Sequence, residues 1–274
     1  MERLTGRTAI VTGGGMGLGA ATARRLASEG AQVVVADINL ENAQAVSEDI
    51  CSSGGDATAL QFDLSDQASI EKLIEDTISR YGKLEILFNN AADTRPAILE
   101  NDVAVADLPV EIWDRTFQCN ARGTFLAIKY ALPHLIASGR GAIINTSSGA
   151  ALLGDLARTA YASSKAAINA LTLYVAAQYG KQNVTCNVIS PGMVPTENSR
   201  VNQPELIKAV LRHHMTPELG YPEDIAAMVA MLGSDEGRFV TGQILRIDGG
   251  VSKAFAHVAD NRQQFEDHVE ATWG

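Results

Sequence analysis

The stretch Thr8-Ala9-Ile10-Val11-Thr12-Gly13-Gly14-Gly15-Met16-Gly17-Leu18-Gly19 decides the fold. Its opening, 8–11, is a short apolar run that reads as a strand. Residues 16–29 are rich in Ala and Leu and read as a helix. Glycines let the backbone between them turn tightly and approach a pyrophosphate, and the helix N-terminus adds unpaired N–H groups and the positive end of a dipole. A glycine turn alone is weak evidence; set between a strand and a helix it gains weight. It offers Gly13, Gly15, Met16, Gly17, Leu18 and Gly19 to a dinucleotide.

Working outward, the same rhythm repeats. Residues 32–37 (QVVVAD) form a near-continuous apolar run, the mark of a strand covered on both faces. Asn39 can cap a helix over 40–52, and Gly54-Gly55 ends it. Further strands are expected at 58–63, 84–89, 142–146, 184–189 and 243–248, with helices at 67–81, 110–137 and 161–179. Strict alternation implies right-handed crossovers and a doubly wound parallel sheet with helices on both faces. No linker or repeat divides the chain, so residues 1–250 are expected to form a single domain. Two segments break the rhythm. Residues 193–220, with Pro195, Pro204 and Pro217, make a connection long enough for a substrate lid, a binding loop or a disordered stretch; 204–214 can form a short helix within it. The extension 251–274 carries Phe265, Val269 and Trp273 at helical spacing, a stripe expected to pack on the chain's own body, with a crossing to a neighbouring subunit as the alternative.

Composition narrows the function. The 274 residues include 22 Lys and Arg against 32 Asp and Glu, a net charge of −10, which disfavours nucleic acid and anionic membrane surfaces as partners. Cys51, Cys119 and Cys186 are odd in number and contain no CxxC pair, so neither a disulfide framework nor a thiolate zinc site is expected. His134, His213, His214, His257 and His268 show no ligand spacing, and no metal is expected. The first residues lack the apolar core of a signal peptide, and no apolar run approaches the roughly 20 residues of a spanning helix. A cytoplasmic protein is expected.

Asp37 ends the second strand, eighteen residues after Gly19, close to the roughly 20 expected of an acid that accepts from the adenosine ribose hydroxyls. A carboxylate there repels a 2′-phosphate, and the neighbours Ile38 and Met16 are not basic, so NAD is expected over NADP. Asp63 and Leu64, with Asn90 and Ala91 after Asn89, are placed at strand ends, where open α/β sheets bind ligands. Asp63 can accept from an adenine amino group or cap the next helix; Asn89 and Asn90 can equally be turn residues.

Tyr161 and Lys165 stand four apart at a helix start, so both project from one face. A phenol near pKa ~10 is too weak a base at neutral pH, and an ammonium one turn away favours phenolate. Tyr161 can then exchange a proton with an alcohol or carbonyl oxygen, and Ser148, thirteen residues earlier, can hold the same oxygen. Taken singly each has a structural alternative. Leu152, Leu153, Met193 and Val194, with polar Asp93, Thr94 and Arg95, are candidate substrate walls; mostly apolar, they point to a cyclic, aromatic or steroid-like alcohol.

In combination TGxxxGxG, NNA, S–x12–YxxxK and Pro191-Gly192 follow in order, and here the chain resembles the short-chain dehydrogenase/reductase family over residues 5–250. The resemblance implies a Rossmann-type sheet of about seven strands and an assembly of four subunits, or two. It gives Tyr161 the acid/base role, Lys165 the tuning of that phenol and the nicotinamide ribose, and Ser148 the substrate oxygen. It gives Asn120 a water feeding a proton relay. Pro191, Gly192 and Thr196 are implied to orient the nicotinamide carboxamide, with Val194 in the same segment. The implied activity is NAD-dependent transfer of hydride between a secondary alcohol or ketone and nicotinamide. An NADP-dependent carbonyl reductase and a non-catalytic nucleotide sensor on the same fold are the alternatives. One departure is Ala92, where the family commonly has glycine.

Overall fold

A computed structural model of the protein describes residues 2–195, 204–255 and 257–273. The strands are β1 (Thr8–Thr12), β2 (Gln32–Asp37), β3 (Asp56–Gln61), β4 (Ile86–Asn89), β5 (Gly141–Thr146), β6 (Val184–Pro191) and β7 (Ile244–Ile247). All pair in parallel, in the order β3-β2-β1-β4-β5-β6-β7. Between β1 and β4 the winding reverses, and that switch point opens a crevice at the carboxyl ends of the strands.

Residue alternation within the strands builds two cores. Ala9, Val11, Val33, Val35, Ile86 and Phe88 face α1 (Gly17–Ser28), α2 (Leu40–Ser52) and a later helix over Pro222–Gly233. Ile10, Val34, Leu87 and Ile143 face α3 (Gln67–Tyr81) and two helices that follow β4 and β5. Every residue of β1 is buried, which is why the run carries no polar alternation. Asn39 caps α2 by accepting from Asn42 N, as its position predicts, and Asp66 caps α3 by accepting from Ala68 N.

After β4 come a one-turn helix α4 (Pro96–Leu99), then α5 (Val110–Thr116), a π turn at Phe117–Arg122 and α6 (Gly123–Ala137). The single helix expected over 110–137 thus contains a widened turn, and Asn120 is fully buried in it. α7 (Thr159–Tyr179) follows β5; α8 (Pro204–Leu211), α9 (Pro222–Gly233) and α10 (Val258–Trp273) come later. Strand β3 lies two residues earlier than expected. Its register with β2 ends at Asp37↔Gln61, while the buried Phe62 prolongs the apolar pattern past the last pair. Asp63 therefore sits beyond the strand rather than at its end.

The C-terminal stripe departs from expectation. Helix α10 forms, but it buries none of its side chains, and Phe265 and Trp273 are 65% and 83% exposed. An Arg212–Asp260 ion pair ties its first turn to the residue that follows α8. Among the described residues no helix is long and apolar enough to cross a membrane.

Candidate active site

A cleft of about 450 Å³ opens over the switch point. Gly13, Met16, Gly17, Leu18, Asp37 and Ile38 line one end; Asp63, Leu64, Asn90 and Ala91 follow, and Tyr161 and Lys165 stand among the remaining walls. Groups from the turns after β1 and β4, from β2 and from α7, as distant in sequence as Gly13 and Lys165, are thus brought together.

The glycine turn is held by close contacts. A Cβ on Gly19 would lie 1.9 Å from the Gly13 carbonyl oxygen, so only glycine lets the helix start pack under the turn. Gly13 itself has φ +64° and sits against Ala91 and the Asn90 amide. Thr12, which begins the motif, is a hub. Its hydroxyl donates to Phe88 O (3.2 Å) and accepts from Asn90 N (3.0 Å) and Ala91 N (3.2 Å), locking β4 to the turn. Asn90 Nδ2 adds bonds to Thr12 O and Gly13 O, both 3.1 Å. The carboxylate of Asp37 accepts from Gly15 N and Asn39 N at 2.9 Å each, which fixes it beside the turn while lone pairs remain for a ligand. Gly17, at φ +52°, has no atom within 4 Å of where a Cβ would project, and this leaves room for a phosphate approaching the start of α1. Asp63 accepts from Ser65 N and Oγ through one oxygen; the capping of α3 falls to Asp66. These residues fit the adenosine and pyrophosphate of a dinucleotide.

At the other end, Lys165 is 2% exposed and donates to Thr146 O at 2.8 Å. Burial pushes its ammonium down to about 8. Burial also pushes the Tyr161 phenol up, against the Ser148 hydroxyl and the charge of Arg158, which pull it down. Burial outweighs these, and the Lys165 ammonium expected from the sequence to favour phenolate donates to Thr146 O while standing 5.8 Å from the centre of the Tyr161 ring. Ser148 is half-buried, at the head of a short 3-10 turn at Gly149–Ala151. Asn120 donates to Ser164 Oγ (3.1 Å) and accepts from Asp93 N (3.0 Å), so both ends of its amide engage protein groups.

Not every expected residue reaches this cleft. Gly15, Gly19, Ser148 and Asn120 do not line it. Gly192, Met193 and Val194 line a second pocket, of about 580 Å³, with His214; Pro191 ends β6 beside it. His213 is exposed and Leu153 half exposed. Thr196 lies outside the described residues. Among the described residues no cluster of three His, Cys, Asp or Glu side chains is placed to hold a metal ion.

The residue that sequence reading missed is Asp102. Helix α7 begins after Arg158, a non-glycine residue at φ 64° whose side chain gives no cap. Asp102, 1% exposed in the loop after α4, supplies the cap from outside. Its carboxylate accepts from Ala160 N and Tyr161 N, both at 2.8 Å, and its carbonyl accepts from Arg158 N at 2.7 Å. The backbone of Tyr161 is therefore held by a residue 59 positions away. Asp102→Ala should cost about 2 kcal/mol of stability in urea denaturation, and lower kcat with it. Wild-type values of both would show that the cap carries nothing.

A parallel sheet wound on both faces, with a glycine turn, a second-strand acid and a Tyr–Lys pair on one cleft, defines a nucleotide-dependent oxidoreductase of the open α/β type. Residues 13–252 match a family model described as enoyl-(acyl carrier protein) reductase. A probable short-chain type dehydrogenase/reductase of Bradyrhizobium diazoefficiens is 42% identical over 94% of this chain and 90% of its own. The 7alpha-hydroxysteroid dehydrogenase of Bacteroides fragilis is 35% identical over 92% and 96%. A solved 7alpha-hydroxysteroid dehydrogenase, complexed with NADH and 7-oxo glycochenodeoxycholic acid, superposes with a TM-score of 0.84 at 35% identity, covering 90% of this chain and 95% of that one. The chain belongs to the short-chain dehydrogenase/reductase family.

Proposed function

We propose that this protein is an NAD-dependent dehydrogenase that interconverts a secondary alcohol and its ketone, on a cyclic, aromatic or steroid-like substrate. The observation that carries this reading is that Tyr161 and Lys165 share one cleft with the glycine turn and Asp37. A bound nicotinamide supplies the hydride chemistry. Tyr161 gives a proton to the carbonyl oxygen or takes one from the hydroxyl, and Ser148 holds that oxygen by its own hydroxyl. Lys165, its ammonium anchored on Thr146 O and 5.8 Å from the centre of the Tyr161 ring, sets a cation in the same cleft and would meet the nicotinamide ribose. Asn120 braces α7 through Ser164, whose hydroxyl donates to Tyr161 O at 2.7 Å. Pro191, Gly192 and Val194, which border the neighbouring pocket, would meet the nicotinamide carboxamide when the dinucleotide is bound. The NADH and steroid of the solved relative support the cofactor and substrate class.

Asp37 makes the cofactor testable. A 2′-phosphate would meet a carboxylate already fixed by Gly15 N and Asn39 N. Like-charge contact of this kind costs several kcal/mol, so NADH should bind about 100-fold more tightly than NADPH. Asp37→Ala should narrow that ratio. Titration of both nucleotides by fluorescence, followed by a panel of secondary alcohols read at the reduced-nicotinamide band, checks the reading. Tighter NADPH binding would replace it with an NADP-dependent carbonyl reductase.

A further inference from the structure

The cleft wall carries a charged device that the proposed reaction does not use. Asp93 follows Asn90-Ala91-Ala92, and its side chain is only 3% exposed. Its carboxylate takes a two-pronged bond from Arg95, Nε to Oδ1 at 2.7 Å and Nη2 to Oδ2 at 2.6 Å, and a third from Arg115 Nε at 3.1 Å. Burial would raise this carboxyl, but the two guanidiniums hold it below its usual range. Two cations on one anion leave the cluster with a charge of +1 in a chain of net −10. A guanidinium has five N–H donors, and these bonds use the minority of them on both arginines. Both arginines line the cleft that Tyr161 lines.

The cluster is also tied to the reacting end. Asp93 N donates to Asn120 Oδ1, Asn120 Nδ2 donates to Ser164 Oγ, and Ser164 Oγ donates to Tyr161 O, at 3.0, 3.1 and 2.7 Å. Three hydrogen bonds therefore fix the spacing between the arginine pair and the phenol-bearing turn. A planar fork of donors set by a shared buried acid suits a carboxylate.

We infer that the substrate is a ring alcohol or ketone bearing a carboxylate, which Arg95 and Arg115 hold while the ring presents its oxygen to Tyr161. Asp93 is the positioning residue that aims the two guanidiniums. This inference rests on the dehydrogenase reading and names its substrate class. The same chemistry would recognise a dinucleotide phosphate, so the test needs an arm for each source.

The probes are cyclohexanol and 4-hydroxycyclohexyl carboxylates with spacers of zero to four methylenes, each assayed with NAD. The best carboxylate should exceed cyclohexanol by about tenfold or more in kcat/KM, the scale of a hydrogen bond to a charged group. Arg95 is 62% exposed, and without it Asp93 keeps its bond from Arg115; thermal melting of each variant alongside the assay confirms that the fold is retained. Arg95→Ala should erase the preference, and Arg95→Glu should reverse it. No advantage at any spacer, or an advantage that survives Arg95→Ala, overturns the inference. A tenfold weaker NADH dissociation constant in Arg95→Ala, with the substrate preference unchanged, assigns the arginines to the nucleotide and overturns it too. Failure to oxidise any alcohol, charged or neutral, overturns the dehydrogenase reading instead.

Discussion

Tyr161→Phe should cut kcat by about 10²–10⁴, the usual span for a lost general acid–base group, while the dissociation constant of NADH stays near the wild-type value. The side chain lines the cleft, and the Lys165 ammonium stands 5.8 Å from the centre of its ring. Ser148 and Arg158 pull the phenol down against burial, and Lys165 stands one turn along the helix. Phenylalanine keeps the ring and its packing but can neither give nor take a proton. The measurement is steady-state oxidation of a turned-over alcohol alongside NADH titration. Near-normal turnover would move the acid/base role to another group.

Gly19→Ala should strike the opposite end of the cleft. The new methyl would sit 1.9 Å from the Gly13 carbonyl oxygen and 2.7 Å from its carbon, both backbone atoms that no rotamer change can clear. The turn has to move, yet the Thr12 hydroxyl and the Asn90 amide hold it to β4. Overpacking of this kind costs about 1–3 kcal/mol, lowering the melting temperature by about 2–4 °C per kcal/mol. The larger expected effect is on affinity, because on the proposed reading the displaced N–H groups are the ones that would hold the pyrophosphate. A loss of about 100-fold in NADH binding is expected, equivalent to ~2.8 kcal/mol. Unchanged affinity would mean that the turn does not cradle the phosphates.

The architecture was legible because buried parallel strands leave a direct trace. QVVVAD has no polar alternation since both faces are covered, and β2 forms at that run. The glycine turn was legible for a related reason, as Gly19 is demanded by contact with Gly13, six residues earlier in the same motif. Interactions closing over long separations left no such trace. Asp102 caps α7 from another loop, and no local pattern around 159–161 announces it. The end of β3 was misjudged because the register stops at Gln61, while Phe62 beyond it is still buried in the core and donates its N–H to Asp37 O. The π turn at Phe117–Arg122 and the outward-facing stripe of α10 depend on how whole helices pack. The shift of Tyr161 was misjudged in sign because spacing reveals a nearby cation but not the depth of burial.

The reach of Asp102 to the head of α7 bears on redesign. The segment from β4 to α5 holds Arg95, on the cleft wall, and also the acid that anchors the tyrosine's own peptide. Replacing that segment by one without an acid at position 102 would remove the anchor, and the hybrid would lose turnover before it gained a new specificity. A swap that spares Asp102 is the one with a route to a working hybrid.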